Sequence, residues 1–314
     1  MRVAIVGAGA LGSVYGARLA HFAGCEVSVV ARGPTPPSEV RLERVDDGEV
    51  LRWKVPARVD VAPRDADVVL AFVRYEQLDH VPPRVAGATA PVVMMTPMML
   101  EDHDRLAAQL PGRLTTGMPS VVSYRNAAGA FRYWLPHTAT TLIESRPAAG
   151  DVEAELVKRL VRAEISARVE KDVLARNVAT TVSFIPLAMA LDVAGSIDNL
   201  LDDDALLRLA LDAADEGRDL GRTVGKAEAW ATTLLRFVGH FTLKVGIGLA
   251  RTRAPEACSY VEHHFGHKLH AQNLLMAQRI VDLAVQKNVS HVALDRLRGR
   301  LASPRSTIDE ASEA

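Results

Sequence analysis

The chain has 314 residues, 48% hydrophobic and 24% charged, and its 37 Lys and Arg offset 38 Asp and Glu to leave a net charge of −1. A chain of this size exceeds one ordinary core, so two domains are expected from an ordinary globular composition. The even charge balance argues against nucleic acid or an anionic membrane as partner, and neither a secretory signal nor a run of the ~20 apolar residues of a membrane helix is expected.

Arg2 to Val6 reads as a buried strand, followed by the loop Gly7-Ala8-Gly9-Ala10-Leu11-Gly12 and a helix to about Phe22. Glu26 to Ala31 is a second strand, which completes one βαβ unit. Pro34, Pro36 and Pro37 make a loop. Val40–Val45 and Val50–Val55 flank Asp46-Asp47-Gly48 and predict a hairpin with a glycine turn. Ala66–Val73 and Ala90–Met95 are apolar runs suited to central parallel strands. Ser120–Tyr124, Phe131–Trp134 and Thr138–Ile143 read as further strands, antiparallel at the sheet edge. Asp151–Arg162 reads as a helix and Ile165–Glu170 as a short strand.

From Lys171 onward the periodicity is helical, over 172–191, 203–220, 226–250, 257–287 and 291–301. Pro186 is expected to kink or split the first of these. The fold class is therefore α/β: an N-terminal Rossmann-type, doubly wound parallel sheet over residues 1–170, an all-helical domain over 171–302 for substrate and dimerisation, and a loose tail over 303–314. The long helix 226–250 offers a face for a homodimer. Cys25 and Cys258 read as free thiols in a reducing cytosol, so a cytoplasmic location is expected.

A GxGxxG loop is informative only in context, and here a strand precedes it, a helix follows and a second strand lies at the right distance. Gly7 permits the tight turn, Gly9 lets the backbone approach a pyrophosphate, and Gly12 lets helix and sheet pack closely. The helix N-terminus after Ala10 and Leu11 adds unpaired N–H groups and a partial positive charge. Arg32 stands 20 residues after Gly12, where an acid would accept from the ribose 2′-hydroxyl. An arginine there suits a 2′-phosphate, which its guanidinium grips with two hydrogen bonds. Arg74, after the strand 66–73, adds a second cation. The cofactor expected is NADP(H), bound by Gly7, Gly9, Ala10, Leu11, Gly12, Arg32 and Arg74.

The opening VGAGALGSVYGARLA, the VVARG after the second strand, the strand ending FVR and the helical second half resemble the ketopantoate reductase family. The resemblance is strong over the first 75 residues and weak beyond. It implies a helical domain similar to the C-terminal domain of 6-phosphogluconate dehydrogenase, and reduction of a 2-oxo acid by NADPH between the two domains. It also implies a proton-donating lysine on the first helix of the second domain, an acid farther on, and asparagines lining the site.

The family's lysine helix reads roughly K-x3-N-x3-N-P-L. Anchored on Pro186-Leu187, the lysine position holds Asn177 and the two asparagine positions hold Thr181 and Ile185. Lys171 cannot substitute from the same helix, being ~120° round from Asn177 and ~9 Å away along the axis. Arg176 is nearer but a poor proton donor. In the family's later motif, Ser259-Tyr260-Val261 takes the serine and methionine positions, and the glutamate position falls on Gln272. Thr96-Pro97-Met98-Met99-Leu100 replaces the usual Asn-Gly loop. Loss of a well-placed general acid costs ~10²–10⁴ in rate. Met94, Met95, Met98 and Met99 suggest either an apolar pocket wall or core packing.

Candidates for the lost chemistry lie between Tyr260 and His270. On a helix, His263, His267 and His270 share a face and read as hydrogen-bonded histidines, as a proton donor or substrate contact, or as zinc ligands. Tyr260 is a second donor. Asn177 and Thr181 form a polar stripe able to hydrogen-bond a carbonyl or imine, or simply a helix–helix contact. The catalytic candidates are thus Asn177, Thr181, Tyr260, His267, His270 and Gln272. No dedicated metal is expected. Three readings fit: a reductase of a small-molecule carbonyl or imine with a changed substrate, a genuine 2-dehydropantoate 2-reductase of pantothenate biosynthesis, and a non-catalytic NADP(H)-binding protein.

Overall fold

The computed structural model describes residues 1–31, 38–56, 58–126, 128–146, 151–226, 258, 261–262 and 269–303. Its packing divides the chain into Met1–Val178 and Ala179–Ala314.

In the first unit, β1 (Arg2–Val6), β2 (Glu26–Val30), β5 (Val68–Ala71), β6 (Val92–Met94) and β7 (Leu114–Met118) run parallel. Together with β10 (Thr141–Glu144) and β11 (Ala167–Glu170) they form a seven-stranded sheet of order β11-β10-β7-β6-β5-β1-β2. β10 is antiparallel to β7 and parallel to β11. The short central strands are Val- and Ile-rich because both faces are covered; all four residues of β5 are buried. The order reverses between β1 and β5, which creates a topological switch point where the strands end. Helix α1 (Ala10–Phe22) follows β1; α2 (Val81–Arg84), α3 (Leu100–Gln109) and α4 (Val152–Arg162) are the other described α-helices before residue 170, and a 3-10 helix spans Tyr75–His80.

A second sheet has the order β4-β3-β9-β8. The hairpin of β3 (Ser38–Arg44) and β4 (Val50–Val55) turns at Gly48, whose φ of +76° suits glycine. β9 (Phe131–Trp134) pairs parallel to β3, and β8 (Val122–Arg125) antiparallel to β9. These last two strands therefore leave the edge of the main sheet, where the sequence pattern put them. Their inward residues Phe131 and Tyr133 join Leu51, Trp53 and Val55 in the core against α1. A Cβ on Gly16 of α1 would stand 2.9 Å from the Trp53 ring, so the bare glycine makes room for the indole. β7 has no counterpart in the sequence reading: its Thr115 and Thr116 are buried although polar, so no apolar run announces it.

One side chain of α1 ties these layers together. Arg18 is wholly buried. Its Nε donates to the Ala163 carbonyl at 2.6 Å, and its Nη1 donates to Glu49 at 2.9 Å and to the Tyr133 hydroxyl at 2.8 Å. Its Nη2 donates to the Glu164 carboxylate. Tyr133 passes its own proton toward Glu49 at 3.1 Å, and burial pushes this phenol up to about 12. The Phe22 ring lies 4.6 Å from the guanidinium carbon.

The second unit is helical among its described residues. α5 (Val173–Ala194) begins in the first unit and is continued by α6 (Ile197–Asp202), α7 (Asp204–Val224), α8 (His270–Gln286) and α9 (Val292–Ala302). Side chains cap the starts: Ser196 accepts from Asn199 N, Asp203 from Leu206 N, and Glu216 from Leu294 N. Of the kink or split expected at Pro186, the split does not occur, since α5 runs as one helix through it. Proline has no N–H for the carbonyl of Val182, four residues back. A Cβ on Gly217 of α7 would lie 2.1 Å from that same carbonyl oxygen, so a bare Cα takes the space beside the unclaimed acceptor. The expectation of no membrane-length apolar run also needs correction. Val173–Ala194 qualifies by length and by a mean hydropathy of 1.4, but 61% of that window is buried in protein, as in a core helix. The helix expected over 226–250, with its dimer face, lies outside the described residues from 227 on.

Arg18→Ala is expected to lower stability by about 3 kcal/mol, the low end for breaking a buried ion pair because Glu49 and Glu164 still reach solvent; urea unfolding measures it. A second expectation concerns acid. Asp67 is held below its ordinary range, first by the Arg2 backbone N–H that donates to it at 2.7 Å. A carboxylate depressed in the folded state contributes stability above its unfolded value and loses it as pH falls through the folded value. Urea midpoints should therefore drop below about pH 4, less steeply in Asp67→Asn than in the natural chain.

Candidate functional site

The loop after β1 sits at the switch point. Phe72 N donates to Val6 O at 2.7 Å and Gly7 N to Val30 O at 3.3 Å, so the turn is pinned between the ends of β5 and β2. Gly7 has φ +93°, and a Cβ there would stand 2.3 Å from the Phe72 carbonyl oxygen. A Cβ on Gly12 would stand 2.2 Å from the Gly7 carbonyl oxygen. Both positions therefore exclude a side chain. Gly9 differs: it is exposed and a Cβ there would meet nothing within 4 Å. The space above Gly9 is the cradle.

Gly9 is also the N-cap of α1, with extended backbone and no side-chain cap, and the first turn contains no acid. The first N–H groups of a helix have no intrahelical acceptor, and here those around Ala10, Leu11 and Gly12 meet no competing carboxylate of their own turn. Ser13 helps to shape the loop by donating from Oγ to Ala8 O at 3.3 Å. An uncapped helix start of this kind is favourable for a negatively charged group.

Arg74 lies three residues past β5, and the pairing of Val6 with Ala71 brings its segment beside the glycine loop. It is exposed, with Nη1 3.7 Å from the Glu76 carboxylate. Arg32 lies outside the described residues. Past β6, Thr96 Oγ1 donates to Val73 O, and Met94, Met95, Met98 and Met99 are all buried. Beneath the loop the rings of Tyr15 and Phe72 meet at 4.9 Å, and the Tyr15 hydroxyl lies 2.7 Å from Thr141 Oγ1.

On α5, Asn177 is buried and Thr181, one turn on, is half-buried. Lys171 precedes that helix, exposed, next to Asp172 with φ +56°. On α8, Gln272 is half-buried, and His270 is the first residue. His270 Nδ1 lies 3.0 Å from Asp192 Oδ2, and Asn273 Nδ2 donates to the same oxygen at 3.0 Å. Asp192 is wholly buried on α5. Sequence reasoning missed this carboxylate, although an aspartate inside the apolar run LAMALDVA was a visible signal. Tyr260, His263 and His267 lie outside the described residues. Among the described residues no group of three His, Cys, Asp or Glu could hold a metal ion.

The structure thus assembles Gly7, Gly9, Ala10, Leu11 and Gly12 with the Phe72–Arg74 segment in the first unit. In the second it joins His270 to Asp192 and Asn273. Residues 3–141 match the family model described as Ketopantoate reductase PanE/ApbA. No curated protein matches the chain. Solved structures share the fold over nearly its whole length. The PanE/ApbA family ketopantoate reductase of Ralstonia eutropha JMP134 is 20% identical at a TM-score of 0.66, with 96% of this chain and 97% of that one covered. A dimeric ketopantoate reductase from Staphylococcus aureus is 11% identical at 0.66, with 96% and 97% covered. A D-mandelate dehydrogenase in ternary complex with NADH and anilino(oxo)acetate is 14% identical at 0.62, also with 96% and 97% covered. Over residues 3–141 the chain is similar to the ketopantoate reductase family, and the chain as a whole carries the fold that those enzymes share.

Proposed function

We propose that the protein is an NADP(H)-dependent oxidoreductase that reduces a C=O or C=N group of a small molecule, a 2-oxo acid, related ketone or imine, with a substrate changed from that of the family. The observation that carries this reading is the cradle above Gly9, walled by two glycines that admit no side chain and facing a helix start without cap or acid. Gly7, Gly9, Ala10, Leu11 and Gly12 would hold the pyrophosphate, and Arg32 and Arg74 the 2′-phosphate. When bound, the nicotinamide supplies the hydride.

The chain's own groups then orient the acceptor and handle its proton. Asn177 and Thr181 offer hydrogen bonds to a carbonyl or imine without transferring a proton. His270 is the described candidate for proton transfer, because a buried carboxylate at Nδ1 holds its ring in place. Gln272, in the place of the family's glutamate, offers an amide where that enzyme has a charge; Tyr260 and His267 remain candidates on sequence grounds. An imine, already easily protonated, asks least of this equipment. The D-mandelate dehydrogenase neighbour supports a substrate other than 2-oxopantoate on this fold. The dimeric neighbour supports a homodimer, and the free thiols of Cys25 and Cys258 support a cytoplasmic setting.

Titration with NADPH and NADH tests the reading directly, with NADPH expected to bind more tightly and absence of binding by either refuting it. Gly9→Asp separates fold from function. Aspartate is a favourable N-cap and has open space, so thermal stability is expected to hold, while its carboxylate occupies the phosphate position and abolishes nucleotide binding. Arg32→Ala is expected to weaken NADPH by tenfold or more and NADH little, since hydrogen bonds to a charged group contribute about 1.5–3 kcal/mol.

A further inference from the structure

β11 closes one edge of the main sheet, and among the described residues no strand pairs with its outer side. Its sequence is Ala167-Arg168-Val169-Glu170. Toward the sheet, Thr141 N donates to Ser166 O at 2.8 Å and Ser145 N to Glu170 O at 2.9 Å, with Leu142 opposite Arg168. Residues 166, 168 and 170 therefore turn their backbone groups to β10. By alternation the N–H and C=O of Ala167 and Val169 point outward. The side chains alternate too. Ala167 packs against the core that holds Leu156 and Leu160 of α4, so Val169 stands on that same face, where it is 37% exposed. Arg168 and Glu170 stand on the other face, with Arg168 Nε 3.3 Å from Glu170 Oε2.

Helix α4 lies over this edge of the sheet, with Leu156 and Leu160 buried beneath it. One of its flanks is used. Arg159 donates to Ala23 O, just past α1, at 2.9 Å and to Glu155 at 2.7 Å. At about 100° per residue, Val157 and Val161 fall roughly 160° round from Arg159, on the opposite flank, and Ala154 continues their stripe. That flank is apolar and open: Ala154 and Val157 are half-buried and Val161 is 55% exposed. It faces away from α1, toward the edge that β11 forms. Val161 and Val169 are therefore exposed apolar side chains on one face of the first unit, beside the outward backbone groups of β11.

We propose that the outer edge of β11 and the free flank of α4 form an isologous interface with a second copy of this chain, the two β11 strands pairing antiparallel about a two-fold axis at Val169. The inference rests on the homodimer reading above and gives it a surface. Charge selects both the partner and the register. Val169 meets its own counterpart across the axis, and their outward N–H and C=O groups exchange hydrogen bonds. Arg168 then stands opposite Glu170 of the second copy, and Glu170 opposite its Arg168. These are the closer, non-hydrogen-bonded pairs, where opposite charges attract. An axis moved to Arg168 or to Glu170 would set like charges against each other. Edge charges of one sign would repel a second copy, whereas this alternation matches itself. Two helices that each cover the last two strands come about 10 Å apart across the axis, the spacing of packed helices, so the α4 flanks meet above Val169. Four strand residues fall short of a standard interface of roughly 800 Å² per partner, and the α4 flank extends the patch.

Analytical ultracentrifugation of the full chain measures the dimer, with circular dichroism as the check on folding. The natural chain is expected to dimerise. Val169→Pro removes only an outward N–H, which an edge strand tolerates, and Val161→Lys places a charge on the α4 flank. Each is expected to weaken dimerisation about tenfold or more with the fold kept, because the two-fold axis counts every loss twice. Arg168→Glu alone sets carboxylate against carboxylate and is expected to do the same. Adding Glu170→Arg to it reverses both signs, and the dimer is expected to return. A merely structural role for these side chains would give no such rescue. Dimerisation unmoved by the three single variants, or a folded double variant that stays monomeric, overturns the proposal and leaves a homodimer through another face. A natural chain that is monomeric at high concentration overturns the homodimer reading and this inference together.

Discussion

The first unit is organised around a guanidinium with no access to water. Arg18 hydrogen-bonds to a helix-end carbonyl, a tyrosine and two carboxylates, which bring α1, the β3–β4 turn, β9 and the segment before β11 to one point. A buried charge is costly unless its donors are satisfied, and a flat fork with five N–H groups can do what a lysine ammonium cannot. The two glutamates keep part of their hydration, 28% and 54% exposed, so the arginine bears most of the desolvation cost alone. Because the glycine loop is the N-terminal end of the same helix, the clamp two turns away holds α1, and the cradle with it, against both sheets.

That arrangement divides the labour along α1. It starts at exposed Gly9, without a side-chain cap. Its second turn carries Tyr15 beneath Phe72, and Gly16 clears a path for Trp53. Its third turn begins with the clamp. A helix that must meet a ligand at one end and two sheets along its length has little freedom to be amphipathic: every residue from Gly12 to Leu19 is buried.

The elements whose apolar pattern matches their burial were readable in the sequence: β1, β2, β5 and β6, the β3–β4 hairpin and the described helices α5, α7, α8 and α9. β7 was not, because burial there falls on threonines and on Gly117, where a Cβ would meet Met95 Sδ. The division of strands between two sheets was not, because alternation in FRYW gives a face without naming its partner. The glycine loop was legible as a motif, since its signal is the absence of side chains at fixed spacing. The polar constellations were hidden for the opposite reason. Tyr15, Ser120 and Thr141 are common residues separated by up to 126 positions, and only folding reveals that they touch. Asp192 and His270 are 78 apart, and the sequence displayed the histidine among its neighbours while the carboxylate stood alone.

Helix α5 owes its continuity to its neighbour. At Pro186 the backbone lacks one internal bond, and the orphaned Val182 oxygen rests against the naked backbone of Gly217. A carbonyl facing a Cα–H recovers only part of a normal hydrogen bond, about 0.5–1 kcal/mol. Among the described residues, that carbonyl has the bare backbone of α7 as its neighbour. Close packing of α7 thus supports α5 at the turn where the proline leaves its backbone bonding incomplete.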